Sequence, residues 1–176
     1  MAVAHYQFEA IHPFFDGNGR TGRIFNLLVL IQAGLLDLPV LYLSRYIIQN
    51  KQEYYLRLRR VTEQGDWEGL LLFMLAAVEQ TALWTTDRIH AIRHLLDATI
   101  ARCRHEAPKI YSKELIELIF YQPYCKIAFL VQAGIAERKT ASSYLQVLER
   151  LGILTGEKHG REIIYKHLAL LEILNA

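Results

Sequence analysis

With 176 residues, 52% of them apolar, the chain is long enough to bury a core as one ordinary domain or as a domain with a small appendage. Its 20 basic and 18 acidic side chains nearly balance, which excludes the strongly basic character of a chain held on nucleic acid by bulk charge. Two distant cysteines, Cys103 and Cys125, argue against a disulfide framework. With no leader-like start and no run of 18 apolar residues, a soluble, cytoplasmic protein with no membrane partner is expected.

In chain order, Val3, Tyr6, Phe8 and Ile11 lie closer to helical spacing than to alternation, so residues 2–11 are expected to form a helix. Beyond a glycine-bearing loop, Ile24, Leu27, Leu28, Ile31 and Leu35 repeat at helical spacing, and Gly34 or Pro39 ends that helix. A further helical stretch runs from Leu43 to Glu63 through Tyr46, Ile47, Tyr54, Leu58 and Val61. Gly65 breaks it, and Asp66 caps a long helical region from Trp67 to about His105, either continuous or joined near Thr85 to Asp87; Pro108 closes it. Ser112 caps a helix through Phe120, Pro123 opens a second up to Gln132, Gly134 turns the chain, and Arg138 to Leu151 form a third. Ile153 to Thr155 and Glu162 to Tyr165 then flank a turn at Lys158-His159-Gly160. The expected fold is all-α over residues 1–107, followed by a winged helix-turn-helix with a small β-hairpin over 108–176.

The third helix of that tail carries Arg138, Lys139, Ser142, Ser143, Tyr144 and Gln146, and the wing carries Lys158, His159 and Arg161, side chains suited to a DNA partner. Glu137, Glu149, Glu157 and Glu162 oppose them, so a protein-contact or dimerisation module stands beside the DNA reading.

The loop, His12 to Arg23, reads HPFFDGNGRTGR, and Gly17-Asn18-Gly19-Arg20-Thr21-Gly22 spells a dinucleotide-binding pattern, with Asp37 about where a ribose ligand would stand. A helix rather than a strand precedes it and no βαβ unit follows, which rejects that reading. Gly17 and Gly19 instead let successive amides converge on phosphate oxygens at the positive end of the next helix. Arg20 and Arg23, three apart, share a helical face and can reach one polyphosphate. Asp16 would repel that anion unless a divalent cation stood between them, and one carboxylate plus substrate phosphates is how magnesium is usually held. His12 can take a proton from an attacking hydroxyl. Together these residues fit transfer from a nucleotide to a hydroxyl; the plainer readings are loop capping by Asp16 and solvated Arg20 and Arg23, with Phe14 as a core anchor. His5, His90, His94 and His105 show no convergent ligand set and are read as surface or packing residues.

HPFFDGNGRTGR resembles the signature of the Fic family, in which nine of the twelve positions are specified, and every one is matched. LPVLYLSRYIIQNKQEYY, GDWEGLLLFML and the tail are similar to this family too. The resemblance implies an adenylyltransferase with a Fic-type helical core, moving AMP from ATP with Mg2+ onto a Ser, Thr or Tyr hydroxyl of a target protein or of the chain itself. Carried over, His12 is the base and Asp16 the magnesium ligand. Gly17, Asn18 and Gly19 form the anion hole, with Thr21 and Gly22 in the same segment. Arg20 and Arg23 hold the outer phosphates, and Tyr54 and Tyr55 lie near the nucleobase. An Asn often found two turns later is Thr62 here. The family fold places helices and a β-hairpin flap before the motif, so the chain is expected to be N-terminally truncated, with the faces of 24–35 and 70–83 uncovered and a homodimer as remedy. The alternative is a non-enzymatic winged-helix regulator with an inactive Fic remnant.

Overall fold

The computed structural model describes residues 1–160 and 162–175. In chain order these form α1 (Ala2–Ile11), α2 (Asn18–Gln32), α3 (Leu43–Gln49), α4 (Lys51–Gln64), α5 (Trp67–Glu106), α6 (Lys113–Tyr121), β1 (Tyr124–Cys125), α7 (Ile127–Gln132), α8 (Arg138–Arg150), β2 (Thr155–His159), β3 (Glu162–Lys166) and α9 (Leu168–Asn175). The mainly helical class with a small sheet is as the sequence implies. Two compact units divide the chain, Met1–Asp87 and Arg88–Ala176, so the division lies within α5, well before residue 107. The reason is packing: Leu96, Ile100 and Cys103, late in α5, join the second core.

The first core gathers Ala2, Ile47, Tyr54, Val61, Leu70, Phe73 and Met74. Residues 70, 73, 74 and 77 repeat at helical spacing and bury one face of α5. The stretch 43–63 is two helices, not one. Asn50 leaves helical geometry at φ −114° and ψ 36°, and its Nδ2 donates to the Tyr46 carbonyl at 2.9 Å. Such local side-chain bonding competes with helix continuation, and the apolar periodicity passes straight through the break. Gly65, at φ 69°, ends α4: its amide donates to the Val61 carbonyl at 3.1 Å, and the Asp66 amide to Arg60 at 3.3 Å. Asp66 Oδ1 then accepts the Gly69 amide at 3.0 Å and caps α5.

Of the two readings for 67–105, the continuous helix holds. Thr85 Oγ1 bonds back to the Thr81 carbonyl at 2.8 Å, so the threonines that hinted at a joint are absorbed by the helix. By length and composition α5 could cross a membrane, with an 18-residue window of mean hydropathy 1.3, although no uninterrupted apolar run does so. Leu72, Leu75 and Leu83 on α5 and Ile24, Leu28 and Leu35 around α2 are exposed, on the two faces where the sequence places uncovered apolar surface.

In the second unit Ser112 accepts the Leu115 amide at 3.1 Å and caps α6. Ser112→Ala is expected to cost this unit about 1 kcal/mol, read as a lower denaturation midpoint with unchanged slope. Pro123 opens no helix. It precedes the short strand β1, and α7 begins only at Ile127, because Tyr124 and Cys125 pair with Lys166 and Tyr165. The sheet is antiparallel in the order β1-β3-β2. Ile153 and Leu154 are buried ahead of β2 rather than being its start, and α9 follows β3 where the sequence reading placed nothing. The order α6, β1, α7, α8, β2, β3 is otherwise the one expected of a winged helix-turn-helix. Arg161, expected on the wing, lies outside the described residues. Both cysteines are free and buried; burial raises both thiols, Cys125 to about 11, so they are poor nucleophiles.

Candidate active site

The site lies in the first unit, at the junction of α1 and α2. Helix α1 ends on His12, at φ 49° and ψ 57° the one non-glycine residue with positive φ among those described. Its amide still donates to the Phe8 carbonyl at 3.1 Å, and Pro13 cannot extend the helix. Holding a non-glycine residue there costs roughly 1 kcal/mol, and such strain gathers at functional positions. The imidazole is left exposed at the head of the loop.

Asn18 shapes that loop. It is 2% exposed; its Nδ2 donates to the Phe14 carbonyl at 2.5 Å and its Oδ1 accepts the Phe14 amide at 3.0 Å. Its side chain is therefore a clamp, and only its amide is left for an anion. Gly17, at φ 85°, caps α2; its carbonyl accepts the Thr21 amide at 2.9 Å and Thr21 Oγ1 at 3.1 Å. Thr21 thus closes the turn instead of facing a ligand. No helical carbonyl precedes the amides of Asn18, Gly19 and Arg20, so they stay open at the positive end of α2.

The two arginines fold back over the two glycines. A Cβ on Gly17 would stand 3.4 Å from Arg20 Nη2, and one on Gly19 would stand 3.2 Å from Arg23 Nη1. The guanidinium groups of Arg20 and Arg23 thus lie close to Gly17 and Gly19, with Arg23 Nε buried and unpartnered among the described residues. Asp16 accepts the Gly17 amide at 2.6 Å and Arg20 Nη2 at 3.0 Å, both side chains being largely exposed. That exposure makes the ion pair weak and its arginine available. Among the described residues no three His, Cys, Asp or Glu side chains gather to hold a metal unaided. A lone carboxylate beside a phosphate nest nonetheless suits a magnesium ion that arrives with a nucleotide.

Beneath the loop, α1, α2 and α4 are tied by His5, which is wholly buried. Its Nε2 lies 2.8 Å from the Tyr54 hydroxyl, and its Nδ1 lies 3.2 Å from Asn26 Nδ2 and 3.3 Å from the Gly22 carbonyl. Gly22 is what lets the helices close: a Cβ there would stand 2.4 Å from Glu9 Oε1 and 3.2 Å from His5 Cε1. Burial lowers the His5 pKa, helped by Arg23 against the Gly22 carbonyl, and burial raises that of Glu9 against Arg23 and His12. In the second unit burial likewise lowers His167. An unfolded histidine, near 6.5, takes up a proton that the folded form resists, so unfolding binds protons below that pH. These two histidines are expected to make stability fall as pH drops below 6.5, visible as a lower thermal midpoint in acid.

Residues 1–30, which hold this whole loop, match the Fic/DOC family, and residues 95–170 match the family described as "Protein adenylyltransferase SoFic-like, C-terminal domain". Both ends of the chain thus match Fic-type families. It is 30% identical over 120 residues to the Protein adenylyltransferase Fic of Drosophila willistoni, covering 66% of this chain and 23% of that protein. To the protein of the same name from Aedes aegypti it is 34% identical over 103 residues, covering 56% of this chain and 19% of that protein. It spans about a fifth of the length of these curated relatives.

Of the remaining residues carried over from the Fic resemblance, Tyr54 belongs to the core. It is 5% exposed, and its hydroxyl is occupied by His5, which removes it from nucleobase contact. Gly22 also serves packing rather than a ligand. Tyr55 is exposed, with Lys51 Nζ 5.9 Å from its ring centroid. Thr62 Oγ1 lies 2.9 Å from the Tyr6 hydroxyl, beside a hollow of about 150 Å3 lined by Tyr6, Glu9, Leu58 and Arg59. His5, read as a surface or packing residue, is a packing residue, and it is also the hub of the polar network. Its spacing carries the signal, since residues 5 and 9 share one face of α1.

Proposed function

We propose that the loop holds the phosphates of ATP and that the chain carries the AMP-transferring centre of a protein adenylyltransferase. The observation that carries this reading is the set of open 18–20 amides at the start of α2, with the Arg20 and Arg23 guanidinium groups close to Gly17 and Gly19 and His12 at the head of the same loop. The open amides receive the α- and β-phosphate oxygens, and Arg20 and Arg23 the outer ones. Asp16, released from Arg20, would hold magnesium, which would supply positive charge to the phosphates. A Ser, Thr or Tyr hydroxyl of the target attacks the α-phosphorus while His12 takes its proton. The oxygen–phosphorus bond to AMP forms, the α–β bridge breaks, and pyrophosphate leaves with the electron pair. Positioning and preorganised charge do most of this work.

The test is ATP with magnesium titrated into 15N-labelled chain. The amides of residues 18–20 are expected to shift in a saturable way, and Arg23→Ala to weaken binding by about 10–100-fold. Shifts elsewhere alone would overturn the reading.

A target protein in the cytoplasm, with self-association through the exposed faces of α2 and α5, belongs to the same proposal. For the tail, protein contact is favoured over DNA. Glu157 holds Lys166 and, at 3.0 Å, His159, while Glu162 holds Lys126 at 2.8 Å, so much of the positive charge about the sheet is already answered.

A further inference from the structure

Two buried atoms of opposite character stand unpaired where α1 meets α2. Glu9 Oε1, an acceptor, and Arg23 Nε, a donor, are both shut off from solvent and have no hydrogen-bond partner among the described residues. Glu9 Oε1 lies against the backbone of Gly22, where a Cβ would stand 2.4 Å from it, so the carboxylate reaches the residue beside Arg23 in the chain. Neither atom is open to a ligand from outside. A buried charged group without a partner is costly, and a neighbour of opposite charge offsets that cost.

The two charges already act on each other. Burial raises the Glu9 pKa, and of the charges that oppose this rise Arg23 comes before His12. Burial also raises the pKa of the Tyr54 hydroxyl beneath them; Glu9 adds to that rise and Arg23 works against it. Carboxylate and guanidinium therefore face one buried network. The guanidinium of Arg23 also reaches the loop, since Nη1 would stand 3.2 Å from a Cβ on Gly19, one of the residues whose amides are open. In that planar fork the Nε hydrogen and Nη1 point different ways, so an acceptor at Nε fixes the plane and leaves terminal nitrogens for an anion.

We propose that Glu9 is a positioning residue for Arg23: its carboxylate accepts from Arg23 Nε and holds the guanidinium so that its terminal nitrogens meet the outer phosphates of the nucleotide. Glu9 touches no substrate and acts through the arginine alone. The inference rests on the nucleotide reading of the loop and adds to it a residue that lies outside the HPFFDGNGRTGR stretch.

The first readout needs no nucleotide. In the full chain carrying 15N-labelled arginine, the Nε–H signal that Arg23→Lys removes is expected to exchange slowly with water and to move on Glu9→Ala. The second compares two ligands in the presence of magnesium: Glu9→Ala is expected to weaken ATP by about 5–20-fold and to leave the affinity for AMP, which has no outer phosphate, as it was. Glu9→Gln keeps an accepting oxygen and is expected to recover most of the loss. Added to Arg23→Ala, Glu9→Ala is expected to cost almost nothing further. A role in packing alone would weaken ATP and AMP alike, and that result would overturn the inference. So would an Arg23 Nε–H signal unmoved by Glu9→Ala in a chain whose ATP-induced shifts at residues 18–20 are intact. Absence of those shifts in the unaltered chain would instead overturn the nucleotide reading, and this role with it.

Discussion

His12→Ala is expected to lower adenylyl transfer by about 10²–10⁴-fold while leaving ATP affinity nearly unchanged. In the proposed site the phosphates rest on the 18–20 amides and two arginines, none of which depends on the imidazole, so removal of the proposed base should strike the rate and spare binding. His12 is also the strained left-handed residue of the loop, and alanine there adds a conformational cost of its own. His12→Asn separates the two effects, since asparagine tolerates that geometry and still lacks a base. Both variants should fail in transfer and both should keep the ATP-induced shifts at residues 18–20. Loss of ATP binding in His12→Asn would move His12 from the base to the phosphate site.

Gly22→Val is expected to destabilise the first unit by about 1–3 kcal/mol. Its new Cβ would meet Glu9 Oε1 at 2.4 Å and the His5 ring at 3.2 Å. The carboxylate can swing aside, being the end of a flexible chain. The ring cannot, because Tyr54 and Asn26 hold it from two sides. Helices α1 and α2 must then separate, which shifts His12 relative to the open amides of α2. Denaturant unfolding should show a lower midpoint, and Glu9→Ala in the same chain should recover only part of the loss. A midpoint equal to that of the unaltered chain would mean that the helices are not held at this distance by Gly22. Amide exchange should fall in protection among residues of the first core and stay level among those of the second.

The helices, the loop and the tail topology were legible because each has a local cause: apolar spacing, the capping residues Asp66 and Ser112, and glycines where the chain turns. The breaks were less so. Asn50 divides 43–63 by a bond to its own helix, which apolar spacing does not register, and β1 exists only because β3 comes to pair with it. The unit boundary within α5 depends on which core Leu96 and Cys103 join, a long-range fact. In the site, the residue types at 12, 16, 20 and 23 suggested a chemistry; the structure pairs Asp16 with Arg20 and lays Arg20 and Arg23 close to Gly17 and Gly19. What the motif could not separate was contact from support. Asn18, Thr21, Gly22 and Tyr54 sit within or beside the signature yet spend their side chains, or in Gly22 the lack of one, on holding the loop in shape. The polar role of His5 was hidden for the same reason, since a buried histidine without ligand-forming neighbours in sequence gains its bonds only when α2 and α4 arrive.

The most direct test of the central claim is to incubate the chain with magnesium and either α-labelled or γ-labelled ATP and to follow label on the chain and on added protein. The account predicts covalent label from the α position only, with pyrophosphate released in equal amount and no label in His12→Asn or Asp16→Ala. Label from the γ position, or α-label undiminished in His12→Asn, would contradict it.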